Sequence, residues 1–195
     1  MAGNSGRESD RRDFFRHAMA RLVQPVADIV ENMGTAPPEP ARLRPPGAID
    51  EATFLDTCFR CDQCAKACPA DAIFPLGRDA GEARGTPVID PDLAPCVVCD
   101  GLQCMQVCES GALTRLIAPQ QIKMGLAEVY ESLCVRTAGE TCTICVDRCP
   151  MGEAALHLDG NGPPIVEAGG CVGCGVCQNV CPTTPKAIVV KPSDR

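Results

Sequence analysis

Sixteen of the 195 residues are cysteine. The thiol is the one side chain present here in enough copies and order to define a chemistry: two thiols join as a disulfide, and thiolates hold soft metals. The sixteen fall into four groups of four with none left over: Cys58, Cys61, Cys64 and Cys68; Cys96, Cys99, Cys104 and Cys108; Cys134, Cys142, Cys145 and Cys149; Cys171, Cys174, Cys177 and Cys181. A disulfide needs a Cα separation near ~5.5 Å and a suitable direction, so disulfide frameworks scatter their cysteines among distant segments. These cysteines are bunched as metal ligands are.

Spacing then selects the metal. The outer groups, CFRCDQCAKACP and CVGCGVCQNVCP, are both C-x2-C-x2-C-x3-C-P, the run that binds 4Fe-4S clusters in bacterial ferredoxins. Two residues between ligands let the chain loop round one cubane, and the fourth cysteine, followed by proline, serves the partner cluster where there are two. Zinc is the rival, but a zinc site closes with four ligands, commonly from two separated C-x2-C knuckles, so the third and fourth cysteines of these runs have no zinc rationale. The inner groups depart from the pattern. The second has four residues between Cys99 and Cys104 and carries Glu109 where proline is usual, and the third has seven residues between Cys134 and Cys142. Both keep the C-x3-C ending and lie between two clear copies.

Elements must hold these loops. Each group is followed by a small residue and an aliphatic one (Ala72-Ile73, Ala112-Leu113, Ala155-Leu156, Ala187-Ile188), and Val88-Ile89 and Ile165-Val166 precede groups two and four. The pattern predicts a unit of short strand, cysteine loop, helical turn and return strand. The expected class is α+β, built of tandem or nested bacterial ferredoxin-like units that each hold two 4Fe-4S clusters. With 3% aromatic residues and no tryptophan, bound clusters are expected to supply much of the core and of the folding free energy.

On these motifs the chain resembles the NapG/MauM ferredoxin-type proteins of periplasmic nitrate reduction and methylamine utilisation. The likeness rests on CVVCDGLQCMQVC, KMGLAEVYESLC, the long gap before CTICVDRCP and the final CVGCGVCQNVCP, and it covers about residues 50 to 190. Just upstream, RPPGAIDEATFLDTCFRC is similar to the start of the cytoplasmic NapF-type ferredoxins. The resemblance implies four 4Fe-4S clusters as cofactors and all sixteen cysteines as ligands. It also implies nested sharing: Cys58, Cys61 and Cys64 with Cys181; Cys171, Cys174 and Cys177 with Cys68; Cys96, Cys99 and Cys104 with Cys149; and Cys134, Cys142 and Cys145 with Cys108. Sequential pairing, group one with two and three with four, is the alternative. The implied function is single-electron transfer from a donor, such as a quinol-oxidising membrane subunit, to a redox-enzyme acceptor. The alternative is an accessory or maturation factor for a redox enzyme such as a nitrate reductase.

Other chemistry finds little support. Of two histidines, His17 lies in the N-terminal segment and His157 in AALHLD, where an exposed strand residue is expected. No cysteine is spare for nucleophilic catalysis, so the chain reads as an electron carrier rather than an enzyme. Residues 51 to 195 hold 11 Lys and Arg against 18 Asp and Glu. Oxidised cubanes with four thiolates add about −2 each. Nucleic acid is therefore a poor partner, and a redox protein with a basic docking face is a better one.

Upstream, residues 1 to 33 are expected to form a tail and an amphipathic helix, with Phe14, Phe15, Ala18, Leu22, Val26, Ile29 and Met33 at helical spacing. The start RRDFFR resembles a twin-arginine export signal, but Arg21 and Asp28 leave only LVQPVA uncharged, short of the ~7 to 15 apolar residues a signal needs. Cytoplasmic residence is expected, with periplasmic export as the alternative. Residues 34 to 49 read as an extended Pro-rich linker, 50 to 195 as the cluster domain, GRDAGEARGTP at 77 to 87 as a surface loop and GNGPP at 160 to 164 as a turn. No apolar run reaches the ~18 to 20 residues of a membrane span.

Overall fold

The computed structural model describes residues 41–193. The expected N-terminal helix and the first part of the linker lie outside the described residues. In chain order the elements are α1 (Glu51–Thr57), α2 (Gln63–Lys66), β1 (Ile73–Pro75), β2 (Pro87–Ile89), α3 (Gln103–Gln106), β3 (Gly125–Val129), α4 (Ile144–Asp147), β4 (Leu156–His157), β5 (Ile165–Val166), α5 (Val176–Val180) and β6 (Ile188–Pro192), joined by loops and short 3-10 turns.

The strands form three two-stranded antiparallel sheets. In the first half, β1 pairs with β2 so that Ile73 faces Ile89, and a bridge joins Ala48 to Leu113. The second half repeats the plan: β4 pairs with β5, Leu156 facing Val166, and β3 pairs with β6, Val129 facing Ile188. Each half thus has an inner hairpin and an outer pair that brings its two ends together. Residues 41–118 carry the first two cysteine groups and 119–193 the last two. The aliphatic pairs expected as strand signals sit in these positions, whereas β3 had gone unmarked. Its alternation of buried Gly125 and Ala127 with exposed Leu126 and Glu128 is that of a strand with one covered face.

Residues 41–49 are not a linker. Leu43 and Ala48 are buried; the Ile89 amide donates to the Leu43 carbonyl at 2.8 Å, and the Thr114 amide to the Gly47 carbonyl at 2.7 Å. Proline richness suits an extended chain, and here that chain lies along the domain as an edge. Arg44, only 4% exposed, is held by Glu51 and Thr86 and stacks on the fully buried Phe54 with its guanidinium 4.7 Å from the ring centroid. Hydrogen bonds from Arg44 first, with help from Arg42, hold the Glu51 carboxyl below its usual range against the effect of burial. The 77–87 loop is likewise less superficial than expected, since Ala83 and Thr86 are fully buried.

α1 starts where Asp50 accepts a hydrogen bond from the Thr53 amide at 3.0 Å, a side-chain N-cap. It buries Phe54 and delivers the chain, extended, at Cys58. The core includes Phe54, Met105, Ile122 and Met124 as well as several cysteines. The halves meet where the Cys96 amide donates to the Cys174 carbonyl at 2.9 Å and Asn179 and Gln178 reach Pro91 and Asp92.

Candidate metal centres

The third cysteine of every group rides on a single helical turn: Cys64 on α2, Cys104 on α3, Cys145 on α4 and Cys177 on α5. A left-handed residue stands before three of these turns, Asp62, Leu102 and Gly175. Another follows the first cysteine by two in the same groups, Arg60, Val98 and Gly173. Such reversals coil the backbone so that successive thiols face one point. The third group, with its long gap, does this differently, closing the 3-10 turn Val135–Ala138 on left-handed Gly139.

Sixteen thiols, none in a disulfide, gather round four cavities. The first is lined by Cys58, Cys61, Cys64 and Cys108, and the second by Cys68, Cys96, Cys99 and Cys104. The third is lined by Cys149, Cys171, Cys174 and Cys177, and the fourth by Cys134, Cys142, Cys145 and Cys181. These linings follow the sequential alternative rather than the nested one. Neighbouring groups exchange their fourth cysteines, one with two and three with four, because the outer strand pairs close each half on itself. The second and third cavities are lined by apolar side chains, glycine and cysteine alone.

This donor set fits a polynuclear cluster. Among the described residues no three His, Cys, Asp or Glu side chains converge closely enough to share one metal ion. The thiols instead line shared cavities four at a time, the number a cubane with one thiolate per iron requires. When bound, such a cluster takes up or gives off one electron at a time. Burial pushes the thiols of Cys96 and Cys145 up to about 11 and those of Cys104 and Cys174 up to about 12, with neighbouring cysteine charges adding to the effect. Iron must displace those protons.

Cys108 and Cys181 behave differently. Burial acts to raise them too, but hydrogen bonds outweigh it and the net shift is downward. Ser110 Oγ lies 3.5 Å from Cys108 Sγ, with the Leu113 amide donating at 3.3 Å, and Thr183 Oγ1 lies 3.2 Å from Cys181 Sγ. A hydroxyl two residues after the fourth cysteine was readable in groups two and four, and passed unnoticed. Arg136 also escaped notice: it lines the fourth cavity and donates to the carbonyls of Gly162, Cys142 and Gly160. Nothing in its local sequence announces that role. His157 lies on β4, about a third exposed, with Nδ1 4.0 Å from Glu167, and it lines none of the four cavities. No described helix is long and apolar enough to cross a membrane.

Residues 57–112 match the model of a 4Fe-4S dicluster domain, a span that holds the first two groups together. The chain is 36% identical to the ferredoxin-type protein NapG of Escherichia coli (strain K12) over 208 aligned positions, covering 98% of this chain and 90% of that protein. Against the methylamine utilization ferredoxin-type protein MauM of Paracoccus denitrificans the identity is 38%, over 82% of this chain and 76% of the relative. The ferredoxin-type protein NapF of Escherichia coli (strain K12) is 31% identical over 73% and 81% of the two chains. Cysteine loops that ring cavities, a dicluster match and relatives aligned over most of their length agree, and the chain belongs to the NapG/MauM family of ferredoxin-type iron–sulfur electron-transfer proteins.

Proposed function

We propose that this protein carries single electrons through four 4Fe-4S clusters, held by Cys58, Cys61, Cys64 and Cys108; Cys68, Cys96, Cys99 and Cys104; Cys149, Cys171, Cys174 and Cys177; and Cys134, Cys142, Cys145 and Cys181. The observation that carries this reading is that the four cavities follow one another in a row. The helical turn α2, which carries Cys64 of the first, packs against α3, which carries Cys104 of the second. The Cys96 amide of the second donates to the Cys174 carbonyl of the third at 2.9 Å, and α5, which carries Cys177 of the third, packs against α4, which carries Cys145 of the fourth. These contacts put neighbouring clusters at short range, and the linings of the second and third cavities carry no charged side chain apart from the cysteines.

The chain's own residues hold the ligands still and supply hydrogen bonds to sulfur. No base, nucleophile or open metal position is required of them. The donor is a redox protein, such as a quinol-oxidising membrane subunit, and the acceptor is an oxidoreductase. The acidic surface suits a basic docking face on either. We place the carrier in the cytoplasm; loss of periplasmic protein from an Arg11→Lys, Arg12→Lys double variant in a fractionation assay would overturn that placement.

Anaerobic purification followed by iron and sulfide analysis tests the reading. A brown protein with broad absorption near 400 nm and equal iron and sulfide, sufficient for four cubanes per chain, is expected. A colourless protein without sulfide refutes it. Rapid reduction and reoxidation by the partner enzyme separates a carrier from a maturation factor, which would bind the apo-enzyme and then be dispensable.

A further inference from the structure

Two arginines are deeply buried among the described residues, Arg44 at 4% and Arg136 at 8% exposed. Their surroundings differ. Arg44 faces the Glu51 carboxylate and so brings no net charge to its site. Arg136 has no described carboxylate within ion-pair distance. Its Nε donates to the Gly162 carbonyl at 2.6 Å, Nη2 to Gly160 at 2.8 Å and Nη1 to Cys142 at 3.1 Å. Carbonyl dipoles orient the guanidinium without cancelling its charge.

That charge lies in the wall of one cavity only. The second and third cavities have no charged side chain in their lining apart from the cysteines. The first has Arg60 together with Asp62 and Glu109, and Arg60 is exposed, so water and opposite charge both screen it. Reduction adds one electron and one negative charge to a cluster. A fixed cation in a water-poor wall therefore favours the reduced form, and net charge is among the determinants of cluster potential.

We propose that Arg136 sets the destination of the electron: its unpaired guanidinium makes the cluster of the fourth cavity the first in the row to be reduced. This rests on the electron-carrier reading above. The fourth cavity is one end of the row, so an electron that enters at any other cavity comes to rest there. The insertion between Cys134 and Cys142 acquires a purpose, since it carries the arginine and folds it against the turn at 160 to 162.

The test uses the full chain, isolated without oxygen, as wild type, Arg136→Gln, Arg136→Lys and Asn161→Asp. Each is assayed for iron and sulfide and reduced stepwise with dithionite at controlled potential, with electron paramagnetic resonance as the readout. Arg136→Gln is expected to retain its iron and to shift the highest-potential step downward by at least tenfold in the reduced-to-oxidised ratio, 59 mV for one electron, leaving the other steps in place. Arg136→Lys, which keeps the charge, leaves that step near wild type. Asn161→Asp keeps the arginine and places a carboxylate on the exposed turn that holds it, so the same step falls, by less. An unmoved top step in the Gln variant overturns the proposal. So does loss of one cluster from both the Gln and Lys variants, which marks the arginine as a clamp. If the Gln variant alone loses iron, Asn161→Asp decides: a lowered top step supports the proposal and an unmoved one refutes it. A wild type without sulfide instead defeats the carrier reading and is recognised before any variant is made.

Discussion

Val98 and Gly173 occupy the same place in two of the cysteine loops, two residues after the first ligand, and both have a left-handed backbone, at φ 50° and 70°. For valine this is costly, because its branched Cβ crowds the neighbouring carbonyl by ~1–2 kcal/mol. Val98→Gly is therefore expected to keep its cluster and to stabilise the holoprotein by up to ~1 kcal/mol, the lost strain partly offset by glycine's greater freedom when unfolded. A thermal melt checks this. The reverse change is not tolerated: a Cβ on Gly173 would collide with the Gly125 backbone, and Gly173→Val should yield insoluble or iron-poor protein. The hydroxyls of Ser110 and Thr183 act on sulfur rather than on shape. Ser110→Ala and Thr183→Ala each remove a hydrogen bond that favours added charge, worth ~1 kcal/mol. Each should lower one reduction step by about 40 mV, visible in the same potentiometric titration with iron content unchanged.

At the level of elements, the outer strand pairs decide which loops meet. Ala48 with Leu113 closes the first half, and β3 with β6 closes the second, so each half contains all the ligands of its two cavities. Residues 41–118 expressed alone are expected to bind half the iron and sulfide of the parent. Under nested sharing no site in that fragment would be complete and it would bind none, so an iron assay separates the two arrangements. Much of this scale was legible in the chain. The aliphatic pairs at Ile73, Val88, Leu113, Leu156, Ile165 and Ile188 marked the strands, because a short apolar pair beside a cysteine loop has only the sheet to cover it. β3 was missed because Met124-Gly125-Leu126-Ala127 combines small and flexible residues with no run of β-branched ones. The sharing of ligands was not legible, since spacing within a motif states how a loop folds and leaves open which loop faces it. Residues 41–49 misled for a related reason: proline sets an extended backbone whether or not another strand lies alongside.

At the scale of the whole molecule, the core of the described residues is built of aliphatic side chains and cysteines, with Phe54 its buried aromatic, and cysteine chemistry governs assembly. Cys104 and Cys174, pushed up to about 12 by burial, are protonated in the apo-protein at neutral pH and must give up protons to iron. Reconstitution with iron and sulfide should accelerate as pH rises from ~7 to ~9 and release protons throughout; a rate independent of pH would contradict this. Stripping the iron with a chelator should unfold the chain, seen as loss of amide-exchange protection across both halves. Arg136 shows the limit of sequence reading at this scale. Its partners at 142, 160 and 162 belong to two separate loop segments, and only the closed fold brings them round one cation.

The Cys96 amide that meets the Cys174 carbonyl at 2.9 Å joins the backbones of two ligands that belong to different halves. Electron tunnelling from one half to the other can then follow covalent bonds interrupted by a single hydrogen bond, while the peptide connecting the halves takes no part. A molecule nicked by protease near residue 118, its pieces still held together, would conduct as well as the intact chain.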